Sequence, residues 1–429
     1  MKNLVRTVIR ASKTEFVKVS AWSAVATFFK MISSFISIKV VSNIIGPAGI
    51  ALVGQFMNSI TMISTLGTGG IGQGVTKYIA EYYDKPDQQR LVIRNAASIS
   101  FLCTILVSLL VIVFAHPLGN YIFKTNNYNS IIVLFGISTG LYSLNTLIIN
   151  IVNGYKAFLK YVIINIATSL AGLTISVILV IYLGLYGALL NCVISQSVIL
   201  LVTISFVFRE PWFKEIFKRI RIDKKIVNNL GGFTLMVLTS SLLAPYSQIT
   251  VRKYITEHLS LNQAGLWEAM NRISNMYLMV ITTSISTFYL PRLSEIKSTV
   301  LLKNEILKTA KIVLPILAFT CLGIFLFRDL IIRVLFSKDF YGMRNLFAAQ
   351  MVGDFFKISS WLIAYLFWAK ALVKQFLITE ILFNLLFIFF ASSGVRYFGL
   401  EGSAYGYALN YIIYFAVMVL IFARLMKKN

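Results

Sequence analysis

Twelve stretches of this sequence are apolar over about 20 residues each, the length a helix needs to cross a bilayer. They fall near 19–44, 49–76, 95–115, 131–152, 161–182 and 187–208, and again near 231–252, 264–290, 309–327, 346–369, 376–394 and 403–423. Short connections carrying Gly, Pro, Asn or charge separate them. The pattern predicts an all-α integral membrane protein of twelve transmembrane helices. Only 13% of the 429 residues are charged and 58% are hydrophobic, whereas a soluble domain carries roughly a quarter charged residues. A water-soluble core is excluded.

The net charge of +24 would ordinarily suggest nucleic acid, but a nucleic-acid binder gathers Lys and Arg on one soluble face. Here they lie between apolar runs. Alternate connections hold 28 Lys and Arg on one side and 8 on the other, so the positive-inside rule places both termini in the cytoplasm. The basic residues Lys2, Arg6, Arg10, Lys13 and Lys18 precede Ala24-Val-Ala26, which superficially fits a signal-peptide cleavage site. The apolar run continues to Ile45, so the segment reads as an uncleaved first span.

Short strings recur at a nearly constant offset. Lys156-Ala-Phe-Leu-Lys160 matches Lys370-Ala-Leu-Val-Lys374. Tyr182-Leu-Gly-Leu-Tyr-Gly187 matches Tyr397-Phe-Gly-Leu-Glu-Gly402, and Ala48-Gly49 matches Ala264-Gly265, at offsets of 214 to 216 residues. A duplicated unit with an even number of spans gives two six-helix lobes related by a pseudo-two-fold along the membrane normal. The expected division is a lobe at 1–208, a basic, aromatic-rich interfacial helix at 209–228, and a second lobe at 229–429. A cavity between two lobes is the architecture of a transporter.

Charges inside spans are costly, roughly 2.5 to 3.5 kcal/mol on insertion scales, and so point to wet or paired sites. Span 1 carries Ser23, Thr27, Lys30, Ser34 and Ser37 along one helical face. Lys39 lies on the opposite side and reads as snorkelling to the interface. Span 2 offers Gln55, Asn58 and Thr65, then Lys77 at the cytoplasmic boundary. Its Gly67-Thr-Gly-Gly-Ile-Gly72 matches G-x-G-x-x-G literally, but without a strand and a βαβ unit it signals helix bending or close packing. Span 7 places Arg252 on a face with Ser241, Pro245 and Gln248, and span 8 sets Glu268 and Arg272 at i,i+4. Span 10 holds Asp354 and Lys357, and span 11 holds Glu380 and Asn384. The substrate-binding candidates are Lys30, Gln55, Asn58, Lys77, Arg252 and Arg272. Glu268, Asp354, Lys357 and Glu380 are the candidates for coupling to H⁺ or Na⁺.

Cys103, Cys192 and Cys321 lie apart in apolar runs, and His116 and His258 are isolated, so no metal or cofactor site is expected. The sequence carries neither a Walker motif nor a nucleophile elbow. Cations outnumber anions within the spans, which favours an anionic cargo such as a phosphate head group.

Specific strings carry a family resemblance: Ile45-Gly-Pro-Ala-Gly49, Gly72-Gln-Gly-Val-Thr-Lys-Tyr-Ile-Ala-Glu-Tyr82, Tyr289-Leu-Pro-Arg-Leu-Ser294, and Met351-Val-Gly-Asp-Phe-Phe-Lys357 through Ala369-Lys-Ala371. Over nearly its whole length the chain resembles the lipid III flippases and the related Wzx-type O-antigen translocases, polysaccharide transporters of the MOP superfamily. The resemblance implies a cargo, an undecaprenyl-pyrophosphate-linked oligosaccharide moved from the cytoplasmic to the periplasmic leaflet of the bacterial inner membrane. It also implies alternating access of the two lobes, ion antiport, and function as a monomer among membrane lipids beside a glycan polymerase and chain-length regulator, with no role in catalysis. A multidrug exporter of the same superfamily would favour an acidic lumen instead. A membrane glycan polymerase or ligase would typically carry a large periplasmic loop. A non-transporting glycan-lipid scaffold is the third alternative.

Overall fold

The computed structural model describes residues 2–427 except 156 and 219–222. Thirteen α-helices account for the described chain: α1 (Lys2–Gly67), α2 (Gly72–Glu81), α3 (Pro86–Val113), α4 (Ala115–Phe123), α5 (Asn129–Gly154), α6 (Phe158–Val207), α7 (Lys224–His258), α8 (Leu261–Ser284), α9 (Leu290–Glu295), α10 (Thr299–Leu326), α11 (Arg328–Leu335), α12 (Phe347–Ala369) and α13 (Val373–Lys427). A five-residue π turn, Ile285–Tyr289, joins α8 to α9. Six of these helices are long and apolar enough to cross a membrane by composition alone. The span helices α7, α8 and α12 fall outside that set, being richer in polar residues.

Three helices are double spans. α1, α6 and α13 each contain one glycine with positive φ, Gly46 (61°), Gly184 (55°) and Gly399 (61°), where the chain reverses between adjacent spans. A Cβ at any of the three would meet nothing within 4 Å. The left-handed backbone, not crowding, therefore selects glycine there. Gly184 and Gly399 stand 215 residues apart. The junction of α3 with α4 at Phe114 (φ −95°, ψ 20°) is repeated between α10 and α11 at Phe327 (φ −92°, ψ 12°), 213 residues on. The repeat seen in short strings is thus a repeat of elements, six spans to a lobe. The turn corresponding to Gly46 is built differently in the second lobe. There α7 ends at His258 and α8 starts afresh, capped by Ser260, whose hydroxyl accepts from the Gln263 amide at 3.2 Å.

The glycine-rich run of span 2 interrupts the helix between α1 and α2, with Gly69 and Gly70 at positive φ. Close packing contributes as well, because a Cβ on Gly72 would meet Asn150 Nδ2 at 2.6 Å and one on Gly70 would meet Leu238 at 2.9 Å. Helix α7 runs unbroken through Pro245.

The linker differs from the interfacial helix read from the sequence. Among its described residues, 209–217 form turns and a 3-10 helix, Phe213–Phe217, and residues from Lys224 onward already belong to α7. The reason is local anchoring. Trp212 stacks on Tyr155 at 5.9 Å, and buried Glu215 accepts from Arg94 Nε at 2.7 Å and from Lys218 Nζ at 2.7 Å. Burial alone would raise the Glu215 carboxyl, but these two cations more than offset it and hold it below the usual carboxylate range. Lys156, Arg219 and Arg221 lie outside the described residues, as do the side chains of residues 1–24, Ser23 among them.

Candidate functional site

The lobes meet through α1 of the first and α7 and α8 of the second. Near the Gly46 end the approach is close: a Cβ on Gly265 of α8 would collide with the Pro47 carbonyl, and one on Gly54 of α1 would collide with the Glu268 side chain. Small residues let backbones come this near.

At that crossing the charges converge. Arg252, 2% exposed, donates from Nη1 to Oε1 of buried Gln55 at 3.0 Å and pairs through Nη2 with Glu268 Oε2. Its guanidinium also lies 5.5 Å from the centre of the Trp267 ring. Arg272 Nε donates to the other carboxylate oxygen, Glu268 Oε1, at 3.2 Å. One carboxylate therefore bridges two arginines, and Gln55 of the first lobe completes the group. Among the described residues two donors remain unused: Arg252 Nε and Arg272 Nη2 are buried without hydrogen-bond partners. The Arg272 side chain is 17% exposed, so the cluster opens at its Arg272 edge.

The same end of the bundle is tied by a second group. Lys39 does not snorkel; its Nζ donates to the carbonyls of Arg333 (3.3 Å) and Phe336 (3.1 Å), and Ser42 Oγ donates to that of Leu335 (3.3 Å). These are the unsatisfied carbonyls at the C-terminus of α11, where the helix dipole favours a cation. An exposed pair, Lys124 with Glu257 at 2.9 Å, joins α4 to the end of α7 and holds the Glu257 carboxyl below its usual range.

Asp354, Lys357 and Glu380 find their neighbours within the second lobe. Asp354 is fully buried and accepts from Ser274 Oγ (2.6 Å), Tyr277 OH (2.5 Å) and Tyr407 OH (2.7 Å). Lys357 makes no ion pair with it within 4.0 Å among the described residues; its Nζ sits among the rings of Trp361 (5.2 Å), Tyr411 (5.5 Å) and Tyr407 (5.7 Å). Half-buried Glu380 accepts from Asn384 Nδ2 at 3.3 Å, and Ser247 of α7 donates to Asn384 Oδ1 at 3.0 Å. Tyr407, Tyr411 and Tyr414 follow i, i+4, i+7 spacing along α13, with ring centroids 4.8 and 6.2 Å apart. The first of them, Tyr407, is the one that bonds Asp354. The spacing is plain in the sequence, where an aromatic stripe resembles ordinary core.

The remaining candidates do not join the arginine cluster. Lys30 is exposed and, among the described residues, has no ion-pair or hydrogen-bond partner. Its exposed apolar neighbours Val25, Phe28, Phe29, Ile32 and Ile36 occupy one face of α1, and Lys30 projects from the opposite side with Ser33, Ser34 and Ser37. Ser37 bonds Ser176 at 3.1 Å, so that polar face turns inward within the lobe. Asn58 is half-buried one turn beyond Gln55. Lys77 is exposed on α2, 3.9 Å from Glu81, with its Nζ over the rings of Tyr78 and Phe233.

Residues 16–297 match the family described as polysaccharide biosynthesis protein. The lipid III flippases of Escherichia coli K12 and Shigella flexneri are each 29% identical over 400 residues, which is 93% of this chain and 96% of theirs. Among solved structures, the inward-facing conformation of a multidrug resistance MATE family transporter of the MOP superfamily aligns with TM-score 0.75 at 15% identity, covering 95% of this chain and 99% of that one. A MOP superfamily transporter from Pyrococcus furiosus, described as having a binding pocket of reversed polarity, aligns with TM-score 0.69 at 15% identity over 94% and 96%. At these identities the structural likeness carries the two-lobe fold alone.

Proposed function

The chain belongs to the polysaccharide biosynthesis protein family, and from that membership we propose that it is a flippase for a lipid-linked oligosaccharide, moving a polyprenyl-diphosphate-linked glycan between the leaflets of the bacterial inner membrane. The full-length similarity to lipid III flippases supports this cargo class. The observation that carries the reading is the arginine pair between the lobes, whose guanidiniums keep two unused donors. A diphosphate presents the acceptor oxygens that such donors require, and Arg recognises phosphate through paired N–H groups. The glycan would pass between the lobes while the prenyl tail stays in lipid.

Finer assignments go with this reading. The lobes are 1–208 and 229–429, joined by 209–228, and both termini face the cytoplasm, which puts the Gly46 end at the periplasm. Lys30, Gln55, Asn58, Lys77, Arg252 and Arg272 guide the head group. Glu268, Asp354, Lys357 and Glu380 couple its movement to H⁺ or Na⁺, and the protein works as a monomer alongside a glycan polymerase and chain-length regulator.

Deleting the gene tests the function directly. The expected result is a diphosphate-linked oligosaccharide accumulating on the cytoplasmic leaflet, reversed by the wild-type gene and measured by mass spectrometry of extracted lipids. Unchanged lipid-linked glycan and unchanged surface polysaccharide would refute it.

A further inference from the structure

Glu268 holds an unusual position for a residue that only clamps helices. It engages Arg252 with one oxygen and Arg272 with the other, spanning the two guanidiniums as one phosphate group of a ligand would. The arginines are not saturated by it, because Arg252 Nε and Arg272 Nη2 stay buried and unpartnered. A carboxylate has only two oxygens and both are used; a diphosphate has more. The Glu268 side chain also packs directly on Gly54 of the other lobe, where no side chain stands in its way.

We propose that Glu268 is a stand-in anion: it occupies the arginine pair when no cargo is bound, and the cargo's diphosphate displaces it. This rests on the cargo class assigned above and deepens it by naming the residue that sets selectivity. Two consequences follow from the geometry. A neutral or weakly anionic head group cannot displace a carboxylate already bonded to both arginines, so the site rejects such lipids by competition rather than by shape. Displacement also lifts Glu268 from Gly54 and frees Arg252 from its present geometry with Gln55, loosening the contact between lobes at the moment cargo is engaged.

The test is binding of inorganic pyrophosphate to the purified full-length protein in detergent, followed by titration calorimetry. Glu268→Gln keeps the shape of the side chain and removes its charge. Relative to wild type it is expected to bind pyrophosphate at least about tenfold more tightly, a difference of about 1.4 kcal/mol. Adding Arg272→Gln to that variant should cancel the gain, which ties it to the freed arginines. If Glu268→Gln, with melting behaviour like wild type, binds pyrophosphate equally or more weakly, Glu268 is a clamp and the proposal is wrong. Equal binding by wild type and Arg272→Gln would instead sink the diphosphate site itself, an outcome distinct from failure of the competition.

Discussion

Cells whose only copy of the protein carries Arg272→Gln are expected to lose surface glycan by at least about tenfold while keeping normal amounts of inserted protein. Arg272 is the partly exposed member of the pair, with one unused guanidinium donor and a single bond to Glu268. Its loss removes a charge-assisted bond to the cargo, worth about 1.5 to 3 kcal/mol, or roughly ten- to a hundredfold in affinity. Arg252 is more deeply embedded, so Arg252→Gln should cost folding as well as transport, because Gln55 loses its partner and Glu268 loses one of its two. Quantitative glycan blots normalised to membrane-protein abundance distinguish the two. Wild-type glycan in both variants would remove the arginines from the mechanism.

Asp354→Ala should have the largest effect on the folded protein itself. Three hydroxyls point at this carboxylate, and Lys357 depends on its charge nearby, with three aromatic rings around its ammonium. Truncating the aspartate leaves a buried cation without compensation, a change that costs about 3 to 5 kcal/mol when one member of a buried charged set is removed. The detergent-solubilised variant is expected to show a severalfold lower monodisperse yield on fluorescence-detected size exclusion. Asp354→Asn keeps one oxygen to accept from Ser274 and Tyr277 and turns its amide N–H to the Tyr407 oxygen, so it should restore the part of that yield lost with these hydrogen bonds but not the part lost with the charge. Should it fold yet transport at the wild-type rate, the charge of Asp354 has no part in coupling; a folded but inactive variant is the expected result.

The hydropathy pattern and the internal repeat together made most of this fold legible. Spans are set by length and apolarity, and the repeat by residues such as Gly184 and Gly399, which have to be glycine because the backbone there is left-handed. What the sequence concealed was the angle at which spans meet. Lys39 reads as a snorkelling residue on its own helix, but its partners are carbonyls at the end of α11, about 300 positions away in the chain. Arg252 reads as a boundary cation, because nothing local shows that Gly54 and Gly265 bring α1 and α8 close enough to enclose it. Asp354 and Lys357, spaced for an ion pair, do not close to within 4.0 Å: the carboxylate takes hydroxyls from α8 and α13, and the ammonium sits among Trp361 of its own helix and Tyr407 and Tyr411 of α13. The cationic balance of the spans was readable; that Glu268 sits between two arginines was not, since an i,i+4 pattern reports only the pair on its own helix.

The most direct measurement is flipping in proteoliposomes, using a fluorescent oligosaccharide carried on a polyprenyl diphosphate and, in parallel, the same sugar on a monophosphate and a cationic drug. If the arginine pair between the lobes is a diphosphate site, the purified protein moves the diphosphate lipid across the bilayer faster than the monophosphate, Arg272→Gln abolishes the difference, and the cation does not move. Movement of the cationic drug, with no preference for the diphosphate over the monophosphate, would contradict it.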